Sequence, residues 1–200
     1  SYKFDPMLAK IVAYGKNRKE SILNLKQFLR NFSIAGVKNN RDFLIDILNN
    51  KHFLKANIST AFLSKVYPNG IHLKQPKLED FAFVAVNLHE NEFTLMQDKF
   101  FKIPREFKNW SNIKNLEKAA SLKCLDQLRK VKVYAYGPML YEVEVNKKKF
   151  KLEIFDEKCK INGRNFEFVN FLKTNKCLTL IKHDCIFDFK EVTSSIESTA

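Results

Sequence analysis

The side chains able to do chemistry are few, and their spacing argues against most of it. His183-Asp184-Cys185, with Cys177 a short way upstream, gathers metal-ligating atom types. A structural zinc site asks for paired ligands at short, repeated spacings. This quartet lacks them, and neighbours at the end of a strand explain it better. Cys124 and one of the four histidines (His52, His72, His89, His183) would make a thiolate–imidazole pair for nucleophilic catalysis, but nothing in the sequence joins them. Glu142 and Glu144 form a carboxylate pair of the kind general acid–base chemistry uses. They alternate with Tyr141, Val143 and Val145, however, and so read as the wet face of a strand. The five glycines are scattered singly, which leaves no glycine-rich loop to cradle a phosphate. From chemistry alone, no catalytic residue and no metal site is expected.

Composition narrows the class. Two hundred residues, 45% hydrophobic and 28% charged, suit one large or two small globular domains. No apolar run approaches the roughly 18 residues of a membrane span, and the chain opens on Ser without a signal peptide, as a fragment would. The four cysteines stand too far apart for a disulfide framework, so they read as reduced and intracellular. The net charge of +13 is nearly all lysine spread along the chain. It reads as biased composition rather than a phosphate-binding stripe, and a nucleic-acid partner is not expected.

The elements that must position any site follow from periodicity. Met7 to Tyr14 is mostly apolar, closes on Gly15 and reads as a buried strand. Asn17-x-x-Glu20 has the form of a capping box, followed by Ile22, Leu25, Phe28, Leu29 and Phe32 at helical spacing, which predicts a helix over Arg18 to Phe32. Ser33 to Gly36 reads as a short strand, and Asn40 as the cap of a helix with Phe43, Leu44, Ile47 and Leu48 on its apolar face. Ser59 is placed as the N-cap of a short helix from Thr60 to Val66, ended by a Pro68-Asn69-Gly70 turn.

Beyond that turn the pattern changes. Pro76 is expected as the first residue of a helix from about Lys77 to Gln97, with Glu79 and Asp80 in its first turn. Phe81 to Val86 is apolar on every side, so something must enclose it. Lys99 to Leu128 is basic and irregular, holds Pro104 and Trp110, and admits a helical turn over Leu116 to Leu128. From Lys130 the period becomes two: Val131, Val133 and Ala135; Tyr141, Val143 and Val145; Phe150, Leu152 and Ile154. Phe166 and Phe168, Leu178 and Leu180, and Phe187 and Phe189 continue it. Gly137-Pro138 turns the chain, and Asn162-Gly163 is a hairpin signal. Six or more antiparallel strands with one wet face predict a small sheet curled around the apolar helix.

Several stretches carry a resemblance. Phe4-Asp5-Pro6-Met7-Leu8-Ala9-Lys10, then Tyr14-Gly15 and Arg18, then Ile34-x-Gly36-Val37-x-x-Asn40, keep one order and spacing. Asn57-Ile58-Ser59-Thr60-x-Phe62-Leu63-Ser64-x-Val66-Tyr67-Pro68-x-Gly70 completes the series. Together they resemble the C-terminal lobe of biotin carboxylase as found in α subunits of biotin-dependent acyl-CoA carboxylases of the propionyl-CoA type.

The resemblance implies an α+β chain: a small α/β lobe over residues 1–70, then an antiparallel β-barrel around a long central helix over 71–200. It implies a parent ligase that carboxylates biotin with ATP, bicarbonate and Mg2+ or Mn2+, then hands the carboxyl group to an acyl-CoA on a carboxyltransferase β subunit. No cofactor is expected on this chain alone, because the family's ATP-grasp residues lie upstream of Ser1 and its biotinyl lysine beyond Ala200. By resemblance Thr60 and Ala61 lie near the adenine of ATP, and Asp5 matches a homodimer contact of bacterial biotin carboxylases. Phe100, Phe101, Arg105, Phe107 and Trp110 form the loop expected to bind the β subunit. The other implied partner is the rest of the α subunit, including the biotin carrier domain. No membrane is implied, and the compartment is the bacterial cytoplasm or mitochondrial matrix. Two alternatives stand beside this reading: a non-catalytic interaction module derived from the family, and a basic nucleic-acid-binding protein.

Overall fold

A computed structural model describes residues 7–32, 34, 37, 39–70, 74–100, 109, 117–155, 158–174, 176–183 and 185–192; the side chains of 91–100 are not included. Its contacts divide the chain into two units, Ser1–Leu73 and Lys74–Ala200.

The described part of the first unit is helical: α1 (Arg18–Asn31), α2 (Arg41–Asn49), α3 (Lys51–Leu54) and α4 (Phe62–Val66). Asn17 caps α1 as its sequence predicts, its Oδ1 accepting from the Glu20 amide at 2.9 Å, while the Glu20 carboxylate reaches back to the Lys16 amide at 2.8 Å. Gly15 is required here by space, since a Cβ would lie 2.5 Å from the Ser21 amide nitrogen. Ile22 and Leu29 of α1 close on Ile45 and Leu48 of α2, with Ile11, Leu25 and Phe53 packed alongside.

Three expectations fail in this unit. Met7–Tyr14 is not a strand, and Met7, Leu8, Val12 and Tyr14 are exposed. A strand exists only when its amides and carbonyls are paired, and the described residues offer this stretch no neighbouring strand. The expected Ser33–Gly36 strand, apart from Ile34, lies outside the described residues and is not among the three. The described part of the unit is therefore helical and holds no strand, unlike the α/β lobe expected. Ser59 does not cap α4 with its hydroxyl; its carbonyl accepts from the Phe62 amide at 2.9 Å, and the helix begins later, after Ala61. At α2 the side chain bonding the Arg41 amide (3.1 Å) belongs to Asn39, and that of Asn40 makes no capping bond.

Arg41 is the buried charge of this unit, with 4% exposure. Its guanidinium donates to the Leu29 carbonyl at 2.5 Å, the Arg30 carbonyl at 2.9 Å and Asp42 Oδ1 at 2.9 Å. It thus satisfies carbonyls that the end of α1 would leave without an amide partner. Hydrogen bonds to charged groups contribute about 1.5–3 kcal/mol, so Arg41→Met should destabilise the first unit by about 2 kcal/mol. Hydrogen exchange of the α1 and α2 amides would measure it.

The second unit opens with α5 (Leu78–Phe100). Pro76 is buried just ahead of it, two residues before the observed start. Among the described residues nine strands follow: β1 (Glu117–Cys124), β2 (Gln127–Ala135), β3 (Leu140–Val145), β4 (Lys148–Phe155), β5 (Lys158–Ile161), β6 (Arg164–Asn165), β7 (Asn170–Lys173), β8 (Cys177–Ile181) and β9 (Ile186–Val192). They form one antiparallel sheet in the order β6-β5-β4-β3-β2-β1-β9-β8-β7. Only four residues, Phe166–Val169, separate the two edge strands in sequence. The edges therefore lie within about 17 Å of each other, and the sheet must curl.

One face of that sheet is apolar. Leu122, Cys124, Val131, Val133, Tyr141, Val143, Val145, Phe150, Leu152, Leu178, Leu180 and Phe189 join Phe81–Val86 and Leu88 of α5 in a single core. Asn87, buried among them, donates to the Phe83 carbonyl at 2.9 Å. The Asn162-Gly163 turn forms as expected, with φ of 51° and 76°. Residues Glu117–Cys124, where a helical turn is admitted, are a strand, because β2 pairs all of them and β9 pairs Ser121–Cys124 on the other side. Phe166 and Phe168 lie beyond the end of β6. They pack on Phe83 at 4.9 Å each, with Phe171 at 5.5 Å, beside the open seam of the sheet.

Candidate functional site

Thr60 and Ala61 form the turn that leads into α4. Thr60 is exposed, Ala61 half-buried, and the Ala61 carbonyl accepts from the Lys65 amide (3.0 Å) and the Ser64 hydroxyl (3.0 Å). Phe62 turns inward and meets Tyr67 edge-on at 6.2 Å, and Tyr67 meets Phe43 at 5.3 Å. Burial, then the nearby Asp46 carboxylate, pushes the Tyr67 hydroxyl above its usual range. The site is one exposed turn on an aromatic support. Elsewhere in this unit, Met7, Leu8, Ile11, Leu29, Phe32 and Leu44 line an open apolar cleft of about 610 Å³.

The two cysteines of the metal-ligating quartet lie on opposite faces of the sheet. Cys177 is exposed on the outer face of β8, whereas Cys185 is buried in the core; Asp184 lies outside the described residues. No group of three or more His, Cys, Asp or Glu side chains among the described residues could hold a metal ion. Cys124 is held as a thiol, since burial and then the Asp188 and Asp80 charges push its pKa up to about 12. Burial does the same to Cys159, also to about 12. Glu142 lies on the wet face of β3, bonded to Lys149 at 2.8 Å.

Of the residues expected to bind a partner, Phe100 ends α5 and its side chain is not described. Phe101, Arg105, Phe107 and Trp110 lie outside the described residues, as does Asp5. The neighbouring Asn109 is described, in the left-handed region at φ 60°. Its amide nitrogen donates to the Gly137 carbonyl at 3.0 Å and the Tyr141 hydroxyl at 2.9 Å, and its Oδ1 lies 3.3 Å from His89 Nε2. The Tyr141 hydroxyl in turn donates to Glu90 Oε1.

A second polar group was not legible in the sequence. Asp80 is buried, accepts from the Lys77 amide at 2.8 Å and binds Lys182 Nζ at 2.5 Å. Lys182 also sits 4.7 Å over the Phe166 ring. The two charges are 102 residues apart, a separation no local pattern bridges.

Comparison with known proteins gives the class first: residues 1–65 match the family described as the biotin carboxylase C-terminal domain. This first third of the chain is homologous to the corresponding part of carboxylase α subunits. It is 43% identical over 70 residues to the propionyl-CoA carboxylase alpha chain, mitochondrial, of Mus musculus, covering 35% of this chain and 10% of that protein. The Rattus norvegicus protein of the same name is 40% identical over 98 residues, 44% of this chain and 13% of that one. The methylcrotonoyl-CoA carboxylase subunit alpha, mitochondrial, of Arabidopsis thaliana is 43% identical over 63 residues, 32% of this chain and 9% of that protein. The chain thus matches about a tenth of the length of these relatives.

Proposed function

We propose that this chain is part of the α subunit of a propionyl-CoA carboxylase-like enzyme. Its first unit closes the biotin carboxylase domain, and its second docks the carboxyltransferase β subunit. The observation that carries the reading is the match of residues 1–65 to the biotin carboxylase C-terminal domain. The second unit supports it, because a 23-residue helix followed by a curled antiparallel sheet is the element order expected of a helix-in-barrel docking domain. The exposed apolar run Met7–Tyr14 and the cleft beside it suit a lobe that packs against the remainder of an α subunit. Of the compartments considered, the mitochondrial matrix fits the names of the relatives.

Among the described residues, no cluster of His, Cys, Asp or Glu suits a metal ion, and no built site for ATP or biotin enters this reading. At most, the Thr60–Ala61 turn would form a wall beside the adenine in the parent enzyme. Phosphate, metal and biotin chemistry would belong to other parts of the α subunit, so the chain alone should show no biotin-dependent ATP hydrolysis.

The docking half of the reading rests on Phe100, Phe101 and Phe107, since aromatic side chains are enriched at interface hot spots. Replacing all three with Ser should abolish co-purification with a cognate carboxyltransferase β subunit while the circular dichroism spectrum is unchanged. Retained binding in the triple variant would remove the docking assignment.

A further inference from the structure

We infer that the outer face of the sheet, where β1, β2, β8 and β9 adjoin, is a docking surface for an acidic protein segment with apolar residues between its carboxylates. The register places the residues. On that face Lys123 of β1 stands directly opposite Lys190 of β9 on one side and Leu128 of β2 on the other. One step along, Ser121 lies between Lys130 and Val192. Cys177 of β8 faces Lys190 from the far side. All three lysines are exposed, and none is in an ion pair among the described residues.

That arrangement opposes the stability of the isolated sheet, because like charges directly across a ladder destabilise it. The rest of the face is built differently. Lys132 pairs with Glu117 at 2.7 Å and Lys149 with Glu142 at 2.8 Å, and Lys160 stands opposite Glu153. The Lys132 ammonium, then the Tyr134 hydroxyl, hold Glu117 below the usual carboxylate range. Nearest the lysine cluster, the Asp188 carboxylate accepts the Thr179 hydroxyl at 2.6 Å. Elsewhere on the sheet Lys132 stands opposite Glu144, Lys151 opposite Glu142 and Lys160 opposite Glu153, whereas Lys123 and Lys190 face each other, with Asp188 two residues along from Lys190 on the same face.

The surrounding side chains select the partner. Leu128 is 57% exposed, and Leu125 and Val192 are each 40% exposed. Protein interfaces combine an apolar centre with a polar rim, whereas nucleic-acid interfaces are more polar and more uniformly positive. Exposed leucine and valine among three lysines therefore fit apolar and carboxylate side chains better than a phosphodiester backbone. The inference is independent of the β-subunit docking reading, since no residue between Gln97 and Trp110 enters it.

The test uses the full chain with two fluorescein-labelled probes, a twelve-residue peptide alternating Glu and Leu and a twenty-nucleotide single-stranded DNA, read by anisotropy. The peptide should bind, and Lys123→Glu with Lys190→Glu should weaken it at least tenfold. Lys158→Glu with Lys160→Glu, an equal charge change elsewhere on the sheet, should alter affinity by less than threefold. Lys190→Glu alone should slow hydrogen exchange of the β1 and β9 amides, because it sets opposite charges across the ladder from Lys123. The inference is overturned if the peptide does not bind or if DNA binds more tightly through the same lysines. It is also overturned if the control pair weakens binding equally, or if Lys190→Glu speeds that exchange.

Discussion

Phe81→Ala should lower the unfolding free energy of the second unit by about 3–5 kcal/mol, the range for truncating a core phenylalanine. Phe81 has no exposed surface and meets Phe189 edge-on, with ring centres 5.0 Å apart. It lies in a core that takes side chains from α5 and from strands on both halves of the sheet. A cavity there would remove contacts from α5 and β9 together, and the ladders on either side limit how far the backbone can collapse to fill it. Because the chain has two units, a single melting curve would mix their transitions. Hydrogen exchange of β1 to β4 amides isolates the second unit. A loss below about 1 kcal/mol would mean that this helix face is not enclosed.

Asp80→Ala should cost the same unit about 2–4 kcal/mol. Breaking a buried ion pair from one side costs about 3–5 kcal/mol, reduced here because the Lys182 side chain keeps 22% of its exposure and water can reach it. The substitution also removes the acceptor of the Lys77 amide at the start of α5. Asp80→Asn keeps an oxygen for that amide and loses only the charge, so it should cost less than Asp80→Ala. Asp80→Ala combined with Lys182→Met should recover part of the loss, because no unpaired cation then remains. The coupling from this double-mutant cycle should change little between low and high salt, since buried pairs are screened much less than exposed ones. A cycle with no coupling would show that the pair adds nothing to the unit.

The sequence alone determined whatever depends on local pattern. The Asn17-x-x-Glu20 cap, the α1 and α2 helices, the Asn162-Gly163 turn and the alternation of β2, β3 and β4 all follow from residue types a few positions apart. So does the resemblance to the biotin carboxylase C-terminal domain, which rests on motif order and was matched over residues 1–65.

Tertiary structure decided what depends on pairing across long separations. Met7–Tyr14 has the composition of a strand but lies in none, because a strand is made by its neighbour and not by its own side chains. Glu117–Cys124, rich in lysine and alanine, is a strand because β2 and β9 flank it. Phe166 and Phe168 continue an alternating series, yet they leave the ladder and pack on Phe83 where the sheet is open. The Asp80–Lys182 pair and the juxtaposed Lys123 and Lys190 join residues far apart in the chain. Such contacts are fixed by sheet order and register, which alternation within one strand does not encode.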